Sequence, residues 1–172
     1  LELATVPPEN RLICFPYPKW MNAMDAVNQG AAVVMTSVGK ARELGIDPAK
    51  WVFLHGCGEA NEKILVSERV DYHSSPAMAA NTSSAFEMAG KRIDDMDYID
   101  IYSCFPSAVE IGCDELGLRY DDPRGLTVTG GLPFFGGPGN NYSMHAIATM
   151  LPLLRAAPSK FGLVTANGGY LS

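Results

Sequence analysis

Residues 130–150, with the sequence GGLPFFGGPGNNYSMHAIATM, form a glycine-rich stretch that leads into a predicted helix. Glycines allow positive φ angles and a close approach of the backbone to a ligand. Free N–H groups and the helix dipole at such an entry favour a phosphate, a carboxylate or a developing oxyanion. The stretch therefore predicts an anion-binding loop at Gly136, Gly139, Asn140 and Asn141. A tight loop needed only for packing is the alternative.

Cys104 is a candidate nucleophile. It stands in the sequence Tyr102-Ser103-Cys104-Phe105, after the predicted strand YIDIY and before a predicted helix. The dipole at a helix N-terminus stabilises a thiolate, so this position suits a reactive cysteine. A buried, unreactive cysteine is the alternative.

Histidines are the usual proton carriers near neutral pH. His145 is the one nearest residues 130–142, the glycine loop, and it lies almost two turns into a helix that starts near Gly139. It either faces the site or serves packing and hydrogen bonding. His55, in the sequence HGCG at a strand end, has the same two interpretations. His73 lies in a polar loop, where we expect it to be solvated.

Composition narrows the functional classes. The chain has 172 residues, 47% of them hydrophobic, which is enough for one domain with a real core. A net charge of −6 and the lack of a basic cluster argue against general nucleic-acid binding. Four scattered cysteines indicate reduced thiols in a cytosol and no metal site. No apolar run is long enough to cross a bilayer. The first residue is not Met, and we expect a piece of a longer protein.

Alternating strand and helix patterns position these groups. Strands are predicted at 31–36, 51–55, 98–102 and 161–166, with a shorter one at 64–66. Helices are predicted at 20–28, 40–45, 76–89, 105–116 and 144–154, and residues 126–128 lead the chain back towards residues 130–142. This order predicts a three-layer α/β/α fold with a mixed, mostly parallel sheet, in residues 19–172 after an extended lead-in over residues 1–18. Ligands of such sheets bind beyond the carboxyl ends of the strands, where we expect His55, Tyr102 and Thr165 to converge.

Several segments in this order resemble one known family. They are MDAVNQGAAVVMTS, ARELGID, SSPAMAANTSSAFEMAGKRIDDMDYIDIYSCFPSAVEIGCDELGL, VTGGLPFFGGPGN and FGLVTANGGY. Together they resemble the C-terminal half of the thiolase superfamily, in particular sterol-carrier-protein-type thiolases and thiolase-like acetyl-CoA acetyltransferases. The resemblance runs from residue 11 to residue 172.

The resemblance implies acyl exchange between coenzyme A thioesters by a cysteine of an absent N-terminal half. The family's HDCF, GHP and CxG loops would fall on residues 102–105, 136–138 and 165–167. Each departs from its pattern. Gly137 stands in place of the GHP histidine, Thr165 in place of the CxG cysteine, and Tyr102 and Ser103 in place of His and Asp. Glycine cannot carry a proton, and a threonine hydroxyl is a poor base.

What remains resembles the oxyanion-hole part of the chemistry. Backbone N–H groups of the loop and the Asn167 amide could hold a thioester carbonyl. The implied substrate is a coenzyme A thioester, with no permanently bound cofactor. The implied partners are acyl-CoA and the missing half, or a second copy or paired subunit. The sheet is expected to lack its last strand, which would leave an edge to be covered.

Two hypotheses follow. One is an acyltransferase of thiolase type whose active site is shared with the missing half, with a role in lipid metabolism. The other is a catalytically reduced thiolase-fold protein that binds acyl-CoA or partners another acyl-binding subunit. A nucleophilic cysteine facing Cys104 and the glycine loop would distinguish them.

Overall fold

A computed structural model of the chain describes residues 2–171. Leu1, the first residue of the predicted lead-in, and Ser172, the last residue of the predicted domain, lie outside the described residues. The α-helices are α1 Val38–Glu43, α2 Pro76–Ala89, α3 Pro106–Leu116, α4 Leu132–Phe135 and α5 Tyr142–Ala156. The strands are β1 Leu12–Cys14, β2 Tyr17–Pro18, β3 Tyr98–Asp100 and β4 Gly162–Val164. Helices and small sheets occur together, which confirms the α/β class. No helix within residues 2–171 could span a membrane.

The parallel pair β3–β4 lies at the centre of the fold. Asp100 is opposite Val164 at its carboxyl end, and the N–H group of Thr165 donates to the Asp100 carbonyl at 2.9 Å. Ile99 is 1% exposed and Asp100 is fully buried. Successive side chains of a strand point to opposite faces, so β3 is covered on both faces. The surrounding core consists of Met96, Ile99, Ile101, Cys113, Leu116 and Leu118.

Helices α2 and α3 pack against each other beside this core. Each has proline in its first turn, and the Ser75 hydroxyl caps α2 by accepting from the Met78 N–H group at 3.2 Å. Gly90 and Gly117 end the two helices in the left-handed conformation, with φ of 61° and 68°. The predicted ends of both helices are confirmed, and α3 begins one residue later than predicted.

The strands predicted at 31–36 and 51–55 are wrong. Both segments lack strand pairing within the described part of the chain. Val34 is 92% exposed and Phe53 is 59% exposed. An apolar, β-branched run favours a strand, but a strand forms only where a neighbour accepts its backbone hydrogen bonds.

Two further predicted elements differ. The helix predicted at 20–28 is a 3-10 turn, Lys19–Met21, followed by extended chain, because the Met24 N–H group donates to Leu132 of the glycine loop. The strand predicted at 64–66 is replaced by a 3-10 turn, Val66–Glu68. Residues 126–128 lead back to the glycine loop, as predicted, and the Ile101 N–H group donates to the Leu126 carbonyl at 2.8 Å.

Candidate functional site

The glycine loop folds back on the carboxyl end of β3. It contains α4, which the sequence pattern did not predict, and a 3-10 turn, Gly139–Asn141, that runs directly into α5. Gly131 has φ of +86°, and a Cβ atom there would lie 2.9 Å from the Ser103 hydroxyl. Glycine is therefore required at this point both for its backbone conformation and for the contact with the strand end.

A buried carboxylate ties the loop to the sheet. Asp100 is fully buried. Its Oδ2 atom accepts from the N–H groups of Val128 at 2.9 Å and Thr129 at 3.1 Å, and from the Thr129 hydroxyl at 3.1 Å. The Tyr142 hydroxyl lies 2.6 Å from that of Thr129 and 3.3 Å from Asp100 Oδ1. Burial raises the pKa of Asp100, and burial raises that of Tyr142 to about 12. The network fixes the start of the loop and the first residue of α5.

The strand-end residues predicted as site residues do meet this loop. The Ser103 hydroxyl accepts from the Leu132 N–H group at 3.1 Å. The Tyr102 N–H group donates to the Thr165 hydroxyl at 3.0 Å, and the Tyr102 ring packs edge-on against Tyr142, with centroids 5.3 Å apart. The parallel pair therefore brings Tyr102 and Thr165 together, as the sequence predicts.

The predicted nucleophile has an unfavourable environment for ionisation. Burial raises the pKa of the Cys104 thiol, and this effect outweighs the hydrogen bonds from the N–H groups of Phe105 and of Cys104 itself. The direction is opposite to the stabilised thiolate expected at a helix start. Burial also raises the pKa of Tyr102. Both groups therefore stay protonated at neutral pH.

Residues 22–31 contact the glycine loop from its other side, and the sequence did not predict this contact. The Gly137 N–H group donates to the Met24 carbonyl at 2.7 Å, and Gln29 donates from Nε2 to the Phe135 carbonyl at 2.7 Å. The Asn141 amide accepts from and donates to the backbone of Ala31, at 2.8 and 3.2 Å. The apolar spacing here predicts a helix over 20–28, which does not form, so only the polar residues Gln29 and Asn141 could have indicated the contact.

These contacts occupy the backbone donors expected to bind an anion. Besides Gly137, the N–H groups of Gly136 and Gly139 donate to the carbonyls of Leu132 and Gly137, at 3.2 and 2.8 Å. Gly139 and Asn140 lie exposed on the outer side of the loop. An oxyanion at Gly136, Gly137 or Gly139 would have to displace an existing bond.

Three side-chain atoms on the segments that meet here are buried and lack a hydrogen-bond partner within the described residues: Oδ1 of Asn22, Nε2 of His145 and Nδ2 of Asn167. The His145 ring packs edge-on against Phe135, with centroids 5.2 Å apart, so it lies next to the loop. Asn167 follows Thr165 by two residues on the segment after β4. A buried polar atom without a partner is costly, so a water molecule or a ligand atom is expected opposite it. His145 could accept or donate a proton there, and Asn167 could donate a hydrogen bond.

The other two histidines lie elsewhere. The His55 ring packs on Phe161, with centroids 5.2 Å apart. Phe161 precedes β4 and lies four residues before Thr165. Four residues of strand span about 13 Å, at ~3.3 Å per residue. The predicted convergence of His55 with Tyr102 and Thr165 is therefore wrong. His73 is exposed beside Asp71, in agreement with its predicted solvation. Within residues 2–171 no three His, Cys, Asp or Glu side chains group as metal ligands would.

No protein-family model matches the chain. Two acetyl-CoA acetyltransferases do match. The one from Schizosaccharomyces pombe is 30% identical over 145 residues, and the one from Syntrophomonas wolfei is 29% identical over 144 residues. The alignments cover 83% and 84% of this chain, and 34% of each relative.

A solved structure is also similar. It is that of a monomeric SCP2-thiolase-like protein type 1 from Mycobacterium smegmatis, which is 52% identical with a TM-score of 0.91. The match covers 99% of this chain and 37% of that protein. The chain thus spans about a third of the length of the relatives it matches. It is thiolase-like in both sequence and fold, which confirms the predicted resemblance to the thiolase superfamily.

Proposed function

We propose that this chain forms one part of the active site of a thiolase-type acyltransferase that uses coenzyme A thioesters. Residues 19–172 would be its C-terminal thiolase-like domain, and the nucleophile would come from outside these 172 residues. The observation that carries the proposal is the meeting of Tyr102, Thr165 and the glycine loop at one end of β3–β4. These are the three segments that correspond to the family's active-site loops.

Within that site, Asn167 is the donor for the thioester carbonyl. Its Nδ2 atom is buried and has no acceptor within residues 2–171, whereas the loop N–H groups at 136, 137 and 139 are already bonded. A preorganised donor of this kind stabilises the charge that develops on a carbonyl oxygen. His145 is the candidate proton carrier, because Gly137 and Thr165 supply none.

The second candidate function is binding of acyl-CoA without turnover, alone or beside another acyl-binding subunit. Three observations favour it. Gly137 has no side chain, the Thr165 hydroxyl is engaged by the Tyr102 N–H group, and burial raises the pKa of Cys104. Binding requires none of these groups to ionise. A cytosolic location stays a prediction from the cysteines.

The site assignment is tested by hydrogen exchange of the full-length protein with and without saturating acetyl-CoA. We expect protection of residues 130–142 and of the segment around Asn167. Asn167→Ala should weaken acetyl-CoA binding up to about tenfold, the size of one net hydrogen bond. Asn61→Ala, an exposed asparagine, is the matched control. Unchanged exchange in the loop would contradict the assignment.

Turnover separates the two functions. If the protein is a transferase, it cleaves acetoacetyl-CoA with free coenzyme A. If Cys104 acts directly, Cys104→Ser lowers that rate at least tenfold, whereas exposed Cys57→Ser leaves it unchanged. Stoichiometric binding without cleavage supports the second function.

A further inference from the structure

A cavity of about 240 Å³ lies beside the strand end that carries Ser103. Its apolar walls come from Leu3, Trp20, Met21, Phe105, Val109 and Phe134. Among the described residues that line it, Ser103 and Thr127 carry hydroxyls, Trp20 adds an indole N–H group, and none is charged. The occupant it suits is therefore uncharged and apolar.

One wall belongs to the lead-in, which the sequence predicts only as an extended segment before the domain. Asn10 is fully buried and holds this wall together. Its Nδ2 atom donates to the carbonyls of Leu3 at 3.0 Å and Thr5 at 2.7 Å, and its Oδ1 atom accepts from the Trp20 N–H group at 2.8 Å. The side chains of Leu3 and Trp20 are thereby kept facing the cavity.

The opposite wall is joined to the candidate site. The rings of Tyr17 and Phe105 stack with centroids 5.8 Å apart, which fixes the lead-in on the residue that follows Cys104. Gly131 and Ser103 line the cavity and also touch each other, since the glycine packs against the serine hydroxyl. The cavity is therefore continuous with the strand end and the glycine loop.

We propose that this cavity binds the acyl chain of the thioester and restricts the protein to short chains. The proposal rests on the proposed function and adds the substrate class. A volume of 240 Å³ corresponds to about eight groups of the size of water, at ~30 Å³ each, and a methylene group is about as large. Acyl chains of up to about eight carbons therefore fit. Phe134, which is 67% exposed, stands at the rim and limits the length.

The test uses acyl thioesters of N-acetylcysteamine with 2 to 12 carbons, which lack the nucleotide of coenzyme A. Trp51 is the only other tryptophan, and its indole bonds to Ile46, away from the cavity. Trp51→Phe therefore leaves Trp20 as a single fluorescent reporter in the full-length protein. Affinity should rise about fourfold per methylene up to about eight carbons and then stop rising, with a shift of the Trp20 emission. Affinity independent of chain length would overturn the proposal.

Two variants should move the length limit in opposite directions, which a folding defect cannot do. Phe134→Ala opens the rim and extends the limit to longer chains, whereas Val109→Phe fills the cavity and shortens it. Phe53→Ala, another exposed phenylalanine, is the matched control and leaves the limit unchanged. If acetyl-CoA protects the glycine loop but neither variant moves the limit, the cavity assignment is wrong and the proposed function stands. Length-dependent binding without protection of the loop supports the cavity and contradicts the proposed function.

Discussion

Asp100→Ala should be among the most destabilising single changes in this chain. The substitution removes the fully buried acceptor of two N–H groups, those of the half-buried residues Val128 and Thr129. The hydroxyls of Thr129 and Tyr142, 2.6 Å apart, can still pair with each other. An unpaired donor costs about 1–3 kcal/mol when it is shielded from water, so the free energy of unfolding should fall by up to about 6 kcal/mol. Asp100→Asn keeps one oxygen for these donors and should lose about 1–2 kcal/mol.

Urea unfolding at pH 7, followed by circular dichroism, measures these losses. Asp25→Ala, which changes an exposed aspartate, is the control. A loss of less than about 1 kcal/mol for Asp100→Ala would show that the buried donors find other partners, and would refute the reasoning.

The same residue predicts a pH dependence. Burial raises the folded-state pKa of Asp100 above the ordinary value of 3.8. Between 3.8 and the folded-state pKa, the folded chain therefore binds more protons than the unfolded chain. The Asp100 contribution to stability is therefore largest below pH 3.8 and falls as the pH rises through the folded-state pKa. The stability of the wild type relative to Asp100→Asn, whose amide does not titrate, should decrease across that window. A constant difference would contradict the raised pKa.

Three further predictions concern other parts of the chain. Hydrogen bonds and charge from Arg124 lower the pKa of Asp122 to about 2, so the stability advantage of the wild type over Asp122→Asn should be lost as the pH falls from 3.8 towards 2 in acid unfolding. Gly58→Ala would place a Cβ atom 1.8 Å from the Asn81 carbonyl oxygen and should cost at least about 1–3 kcal/mol, whereas Gly30→Ala, with no atom within 4 Å, should leave Tm unchanged. Exposed Cys57 should react with a thiol reagent in the native protein, but Cys113, buried and with its pKa raised to about 11, only after unfolding; labelling of native Cys113 in mass spectrometry would disprove its burial.

Helices α2 and α3 are the predictable part of this fold because their start and stop signals are local. Proline at the start of α2 and α3, and Gly90 and Gly117 after their last residues, act within one turn. Strand formation at 31–36 depends on a neighbouring strand from another part of the chain, and the run AAVVMT holds no information about that neighbour.

In the candidate site, too, some contacts follow from a rule that the sequence order supplies, whereas others depend on distant segments. Tyr102 and Thr165 meet because parallel strands end at one edge, a rule that the sequence order alone can invoke. The Gly137 N–H group donates to the Met24 carbonyl, a backbone bond between segments far apart in the chain. Because only backbone atoms take part, no residue type predicts it. His55 was misplaced because its predicted strand does not form.

The unpaired segments at 31–36 and 51–55 have a consequence for handling the isolated chain. Val34 and Met35, 92% and 78% exposed, sit in an apolar stretch without a single charge, and Phe53 and Leu54 repeat the pattern. Extended, uncharged segments with free backbone groups are templates for intermolecular strand pairing. Concentrated samples should therefore aggregate through these segments, and a lysine in place of Val34 would act as a gatekeeper against it.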